Sequence, residues 1–333
     1  MTELLSFPFM QRALLAALLT GLIAPAIGTY VVQRRLSLLG DGLGHVAIAG
    51  VGLALLTGSA PIPIAVVVCI VGAVVVELLR QLGKATGDVG LAILFYGGLA
   101  AGVLMSGIAG AGAGALSQYL FGSLTTVTAA DLRLVAVLAV LVLVPALGLA
   151  PQLFAVCTDE QHARTLGLPV RSYNVLIVVL AAVTVSMAMR TVGLLLVSAL
   201  MVIPVAAAQN LVRGFYATLV CAMAVGVVVA VGGATGSYYA DAAPGALIVV
   251  LAIAVFALSW PVSVLVRRRR ATPELPLDPA AALGTAPHQV AEDAHPHRHA
   301  EDCGHRALRH GDHTDYVHEG HRHAPHADHY DEH

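Results

Sequence analysis

Charge is scarce in this sequence. Asp, Glu, Lys and Arg together make up only 11% of its 333 residues, whereas about 25% is usual in soluble domains. The four cysteines lie far apart, at positions 69, 157, 221 and 303, and form no close motif. That spacing excludes a disulfide framework and a zinc ribbon. The chain therefore does not have the composition of a soluble globular domain.

Sequence motifs of enzymes and motors are also lacking. A P-loop has the pattern Gly-x4-Gly-Lys-Ser/Thr, but the nearest fragment, LLRQLGKATG at 78–87, lacks the first Gly and the Ser or Thr after Lys84. The zinc-protease motif His-Glu-x-x-His does not occur. A membrane aspartyl protease would need a second embedded acid, yet the other candidates fall at the ends of apolar runs: Asp88, Asp131, Asp159 and Asp241. We therefore expect no enzyme.

Long apolar runs fill most of the chain. Hydrophobic residues make up 58% of it and the mean hydropathy is +0.82, and runs of about 20 apolar residues can cross a ~30 Å hydrocarbon core. We predict an all-α, polytopic helical membrane protein whose transmembrane domain covers residues 1–266. Eight spans are expected if one segment is broken or re-entrant, and otherwise nine: 9–32, 36–57, 61–80, 90–108, 131–150, 173–190, 191–212, 215–235 and 243–266.

The basic residues predict the orientation of these spans. With the N-terminus outside, three Lys or Arg residues face outward: Arg12, Arg133 and Arg190. Eleven then face inward: Arg34, Arg35, Arg80, Lys84, Arg164, Arg171, Arg213 and residues 267–270. Because basic residues concentrate in cytoplasmic loops, the C-terminal tail is expected in the cytoplasm.

The segment LLGDGLGHVAIAG, residues 38–50, places an acid and an imidazole in the second span. Asp41 and His45 lie one helical turn apart on one face, a spacing at which a carboxylate and an imidazole can share one divalent cation. Ionisable groups are costly in a span and usually mark a pathway. Two alternatives stay open: the pair could be a structural hydrogen bond, or a proton relay, since His titrates near neutral pH.

Residues 267–333 differ in composition from the rest of the chain. They contain thirteen of the fifteen histidines and few large apolar residues, so we predict a cytoplasmic tail that is disordered without metal. Closely spaced imidazoles favour zinc, nickel, copper or cobalt over hard cations. A solvated tail without metal function is the alternative. The candidate tail ligands are His295, His297, His299, His318, His321, His323, His326 and His329.

The order of several segments resembles the permease subunits of the ABC-type importers of zinc, manganese and iron. RRLSLLGDGLGHVAIAGVGLALL at 34–56 and RTVGLLLVSALMVIPVAAAQ at 190–209 are the most specific matches. GDVGLAILFYGGLAAGVLM, SQYLFGSLTTVTAADL and DEQHARTLGLPVRSYN lie between them in family order. Position 44 is Gly where many relatives carry Ser, and the histidine tail has no counterpart in the family pattern.

This resemblance implies a function and its partners. We expect a permease of the bacterial cytoplasmic (inner) membrane, acting as a homodimer in the lipid bilayer with a cytoplasmic ATPase and an extracytoplasmic metal-binding protein. No permanent cofactor and no nucleic acid partner are expected. The transported divalent metal is expected to be Zn2+, with Asp41 and His45 lining its path. The competing class is a secondary, proton-coupled transporter that uses the same pair as a relay.

The inner loop CTDEQHARTLGLPV, residues 157–170, is the expected docking element. It is polar and can form a short helix that ends near 167–169, and its Glu-Ala-Gly spacing resembles importer coupling helices. Small residues would let such a helix enter a groove on the ATPase. The candidate docking residues are Asp159, Glu160, Ala163, Arg164 and Gly167. Glu77, near Arg80 in the third span, is expected to be an interfacial charge.

Overall fold

The computed structural model describes residues 7–83, 87–111, 113–122, 127–189, 193–270, 289–290, 303–310, 313–318, 321–326 and 329–332. The chain divides into two compact units, Met1–Arg267 and Arg268–His333. Among the described residues, the regular elements of the first unit are helices, and the strands belong to the second.

The helices follow one another closely in the sequence. A single π-helical turn, Ile93–Gly97, joins α4 to α5. The α-helices of the described residues are α1 (Pro8–Gln33), α2 (Leu39–Thr57), α3 (Pro61–Gln81), α4 (Gly87–Ala92), α5 (Gly98–Ile108), α6 (Ala113–Phe121), α7 (Ala129–Gly148), α8 (Ala150–Thr158), α9 (Glu160–Thr165), α10 (Val170–Ala188), α11 (Leu194–Leu211), α12 (Phe215–Ala240) and α13 (Pro244–Arg270).

Eight segments of the described chain are long and apolar enough to cross a membrane, which confirms the polytopic helical class. They are α1, α2, α3, Val89–Ile108, α7, α10, α12 and Pro244–Val264. The segment expected at 191–212 is the shorter helix α11. The sequence interpretation did not include α6 and α8. Thr128 begins α7 with a reciprocal cap, its Oγ1 accepting from the Asp131 N–H and the Asp131 carboxylate accepting from the Thr128 N–H.

Three helices lie at the centre of the membrane unit. Most of α1, α2 and α10 is buried inside the protein, whereas α7 and α13 keep apolar faces exposed, as suits helices that contact lipid. Small residues set the closest approaches. A Cβ atom added to Gly21 of α1 would lie 2.6 Å from the Gly226 carbonyl oxygen of α12. Tyr30 ties α1 to α7 by donating its hydroxyl to the Ala146 carbonyl at 2.6 Å.

The described part of the tail differs from the expectation of disorder. It forms an antiparallel sheet in the order β1-β5-β4-β3-β2. Only two residues of sequence separate each consecutive pair from β2 to β5, a length typical of hairpin loops. This pairing satisfies backbone groups without a large apolar core. The strands are β1 (Gln289–Val290), β2 (Arg306–His310), β3 (His313–His318), β4 (His321–His326) and β5 (His329–Glu332).

Candidate metal site in the membrane

Helix α2 positions the acid and the imidazole. Asp41 lies in its first turn, where the free N–H groups of a helix start favour a carboxylate. His45 follows one turn later on the same face. Because α2 begins at Leu39, His45 lies about 9 Å from the start of the helix at 1.5 Å per residue. His45 therefore lies in the first half of the 19-residue helix.

The Asp41 carboxylate is held by a residue that sequence reasoning missed. The Ser198 hydroxyl of α11 donates to Asp41 Oδ1 at 2.6 Å, a short, charge-assisted bond. Gly40 makes this contact possible, since an added Cβ atom there would lie 3.0 Å from the Ser198 Cβ. Ser198 belongs to the quoted segment at 190–209, but a lone Ser in an apolar run gives no signal of its own.

The His45 side chain is buried and packs against Phe95. Its side chain is 7% exposed, and its Nδ1 atom is buried with no hydrogen-bond partner in the described part of the chain. The Phe95 ring lies edge-on to it, with ring centroids 3.9 Å apart. Phe95 belongs to the π-helical turn, a local geometry found often at functional sites. A buried imidazole nitrogen without a partner is a good candidate for a metal ligand.

One copy of the chain supplies few ligands. Among the described side chains no group of three or more His, Cys, Asp or Glu could hold a metal ion. As metal ligands, Asp41 and His45 would offer one oxygen and one nitrogen, and Ser198 places a hydroxyl beside the carboxylate. An oxygen and a nitrogen donor suit zinc, manganese or ferrous iron. With so few ligands, one chain alone would hold such an ion only weakly.

A second polar cluster lies where α1, α3, α9 and α10 meet. Glu77 is buried inside the protein near the end of α3, and its place at the membrane interface stays a prediction. Arg80 donates to its two carboxylate oxygens at 3.0 and 2.9 Å, and Gln81 donates to Oε1 at 3.0 Å. These bonds satisfy a carboxylate that would otherwise be costly to bury.

Helix α9 is tied to the transmembrane helices through Glu160. Its carboxylate lies 3.6 Å from Nη2 of Arg34, whose side chain is 4% exposed. Asn174 at the start of α10 donates to the same oxygen at 3.0 Å. Burial, and then the charge of Arg80, lowers the pKa of Arg34 from its ordinary value, while Glu77 and, to a smaller extent, Glu160 act in the opposite direction. Glu160 is thus one of two acids that face a buried guanidinium.

The predicted docking residues face in different directions. Asp159 caps α9 by accepting from the His162 and Gln161 N–H groups, which lowers the pKa of its carboxyl. Arg164 is exposed, and Gly167 ends the segment with φ of +78°. Ala163 is fully buried against Val156 and Val170 of the same chain. The expectation that Ala163 contacts an ATPase is therefore corrected, because that face of α9 packs on the permease.

The tail candidates divide into three groups. His295, His297 and His299 lie outside the described residues. His318, His321, His326 and His329 are placed by the backbone at the ends of strands. His323 lies within β4 and is buried.

Comparison with known proteins identifies the family. Residues 6–263 match the ABC 3 transport family, which is most of the membrane unit. The chain belongs to the ABC 3 transport family. It is a membrane permease of the ABC metal importer type and not an enzyme, which confirms the resemblance seen in the sequence. Membership of an ATP-driven family does not favour the proton-coupled alternative.

Relatives of this permease are named for metal transport. The chain is 32% identical over 259 residues to the manganese transport system membrane protein MntC of Halalkalibacterium halodurans, covering 78% of this chain and 88% of the relative. It is 31% identical to the chelated iron transport system membrane protein YfeD of Yersinia pestis, covering 75% and 84%. The solved structure of PsaBC from Streptococcus pneumoniae with Fab matches at 27% identity and a TM-score of 0.71, covering 78% and 93%.

Proposed function

We propose that this ABC 3 permease imports zinc along a path lined by Asp41 and His45. The observation that carries the proposal is the pair itself: a half-buried carboxylate held by Ser198 and, one turn away, a buried imidazole nitrogen without a partner in the described part of the chain. The pair offsets part of the cost of removing water from the ion. Zinc is favoured because imidazole is a ligand it accepts readily, and manganese or iron, named in the relatives, are the competing outcomes.

A second copy of the chain completes the site in this proposal. Two ligands from one chain are too few to hold an ion through its passage, whereas two copies related by a two-fold axis supply two carboxylates and two imidazoles. ATP binding by the partner would alternate the access to this interface between the two sides of the membrane. An extracytoplasmic metal-binding protein delivers the ion, and the tail lies in the cytoplasm.

The exposed side of α9 is the proposed ATPase contact. Arg164 and Leu166 are exposed there, and an open groove of about 380 Å³ beside them is lined by Arg164, Pro169, Val170 and Arg171. Two cations and an apolar rim fit an acidic, partly apolar surface on the partner. Because Glu160 joins the same helix to Arg34, a displacement of α9 by the ATPase would reach the end of α1 directly.

Metal accumulation in metal-starved bacteria tests the pathway. Cells would express the permease with its ATPase and binding protein, and zinc, manganese and iron would be measured together. We expect Asp41→Ala and His45→Ala each to reduce zinc uptake to background. Asn210→Ala is the matched control, since it removes another polar contact between helices, the bond from Asn210 to Ser259. It should keep uptake near the wild-type level.

Each other outcome has a definite meaning. Undiminished uptake in both pathway variants, with the proteins present in the membrane, would make the pair structural and refute the mechanism. Loss of manganese or iron alone would keep the pathway and overturn zinc. Transport that persists with a hydrolysis-deficient ATPase would refute the ATP-driven mechanism.

A further inference from the structure

The tail repeats one short pattern at intervals of eight residues. The pattern is His-x-x-His-x-Asp/His, and its three copies are HGDHTD at 310–315, HEGHRH at 318–323 and HADHYD at 326–331. The histidines at the first and fourth positions occur in all three copies. The tail ligands predicted above from the sequence do not include His310 and His313, so the eight-residue period is not visible in that set.

The strand register gives the period a geometric meaning. Each copy spans the junction of two consecutive antiparallel strands, and its two histidines are direct partners: His310 with His313, His318 with His321, and His326 with His329. Directly opposed residues lie on the same face, with Cβ atoms about 4.5–5.5 Å apart. That separation is short enough for one metal ion to bind two imidazoles.

The sixth position of the pattern lies on the same face as the pair. Side chains alternate along a strand, so residues two apart share a face. Asp315 is two residues after His313, His323 two after His321, and Asp331 two after His329. Every strand junction from β2 to β5 therefore brings three ligand-type residues to one patch of backbone.

Burial at the sixth position supports a ligand role. The Asp315 and His323 side chains are 0% and 6% exposed. A fully buried carboxylate is rare in proteins unless a cation or a hydrogen-bond network compensates its charge. The second unit is small, and small units usually bury apolar side chains. Here a buried acid and a buried imidazole lie instead on the faces that carry the histidine pairs.

We propose that the tail binds three Zn2+ ions, one at each strand junction, through two opposed histidines and the residue at the sixth position. The ligand sets are His310, His313 and Asp315; His318, His321 and His323; and His326, His329 and Asp331. Three protein ligands leave a fourth position open, as in exchangeable rather than closed zinc sites. Metal release and capture would thus be fast. The proposal does not depend on transport, because these residues lie outside the membrane unit.

Counting bound metal on the full-length permease tests the three sites. The detergent-purified chain would carry His45→Ala in every sample, so that the membrane pair does not contribute. Equilibrium dialysis against buffered Zn2+ followed by elemental analysis should give three ions per chain. His326→Gln with His329→Gln should give two. His295→Gln with His297→Gln, the matched control outside the repeats, should still give three.

Moving one histidine pair to the other face of the sheet tests whether zinc binding depends on strand register or only on histidine content. Exchanging Arg309 with His310 and His313 with Thr314 keeps every residue type and keeps the two histidines directly opposed, because positions 309 and 314 are partners. It moves them to the face opposite Asp315. We expect the tight zinc count to fall to two, with the Co2+ absorption bands of the first site lost.

Two results would overturn the proposal. One is a count of three in the relocated variant, since register would then be irrelevant. The other is an equal loss in all double-histidine variants, including the control, which would mean that the tail binds metal by composition alone.

Discussion

The hydrogen bond from Ser198 to Asp41 joins α11 to α2 at the proposed metal site. The bond fixes one carboxylate oxygen toward α11, and in the proposed mechanism the other oxygen would contact the ion. Bonds to charged groups contribute about 1.5–3 kcal/mol. An interaction of this size can decide whether Asp41 keeps one orientation while metal passes.

Ser198→Ala should therefore reduce zinc uptake severalfold without removing it. The Asp41 carboxylate would remain but lose its anchor, so the effect should be smaller than that of Asp41→Ala. The measurement is initial uptake rate over a range of metal concentrations. Ser237→Ala is the control, because the Ser237 hydroxyl donates only to Ala234 of its own helix at 2.9 Å. An equal loss in both variants would contradict a specific role for Ser198.

Two adjacent glycines near His45, Gly97 at the end of the π-helical turn and Gly98 at the start of α5, provide a steric test. A Cβ atom added to Gly98 would lie 2.6 Å from the backbone of His45, whereas one added to Gly97 meets nothing within 4 Å. Gly98→Ala should thus push α5 away from α2, at about 1–3 kcal/mol for an overpacked core. We expect lower thermal stability in detergent and lower uptake for Gly98→Ala only. Matching losses in Gly97→Ala would refute the close-packing argument.

Helix α9 is short, exposed on one side and anchored on the other. Its buried side carries Ala163, and its N-terminal residue Glu160 reaches Arg34 at the end of α1. A six-residue helix has little stability of its own, so these contacts and the Asp159 cap hold it in place. The element is therefore attached to α1 and α10 by side-chain contacts.

Breaking the Arg34–Glu160 pair should uncouple ATP hydrolysis from transport. Glu160→Gln would remove the acid of α9 that faces the buried Arg34 guanidinium and leave only Glu77 of α3, at a cost of about 1–3 kcal/mol because Glu160 is partly exposed. The readout is the ratio of metal moved to ATP hydrolysed in reconstituted complexes, which we expect to fall. Arg34→Gln and the double variant complete a cycle. If the three variants are strictly additive in stability, the pair does not interact.

Nine crossings, eight long segments and the shorter α11, would put the two ends of the chain on opposite sides of the membrane. Cys303 should then react with an impermeant maleimide only in opened cells, and an introduced Ser6→Cys should react in intact cells. Burial raises the pKa of the Cys157 thiol to about 12, so the maleimide should not label this residue at pH 8. Labelling of both sites from the same side would show that α11 does not cross.

Much of the membrane unit could be predicted because its signals are local. The expected spans fall within a few residues of the helices for the first three, 9–32, 36–57 and 61–80, since apolar length and flanking Gly and Pro act within each segment. The prediction missed α6 and the π-helical turn because neither differs in composition from its neighbours. For the tail, composition predicted disorder, whereas pairing depends on the order of residues at a period of eight.

Composition and spacing were sufficient to predict the membrane class and the Asp41–His45 pair, because hydropathy and one-turn spacing are properties of neighbouring residues. The family was indicated by the resemblance of several segments in their order along the chain. The packed bundle decided the partners: Ser198 lies 157 residues from Asp41, Asn174 lies 14 from Glu160, and Ala163 turns inward rather than toward an ATPase. In the tail, the register of the antiparallel strands places the histidines of each repeat opposite one another. Contacts of this kind depend on which helix faces and strands meet, and packing and backbone pairing between distant segments determine that.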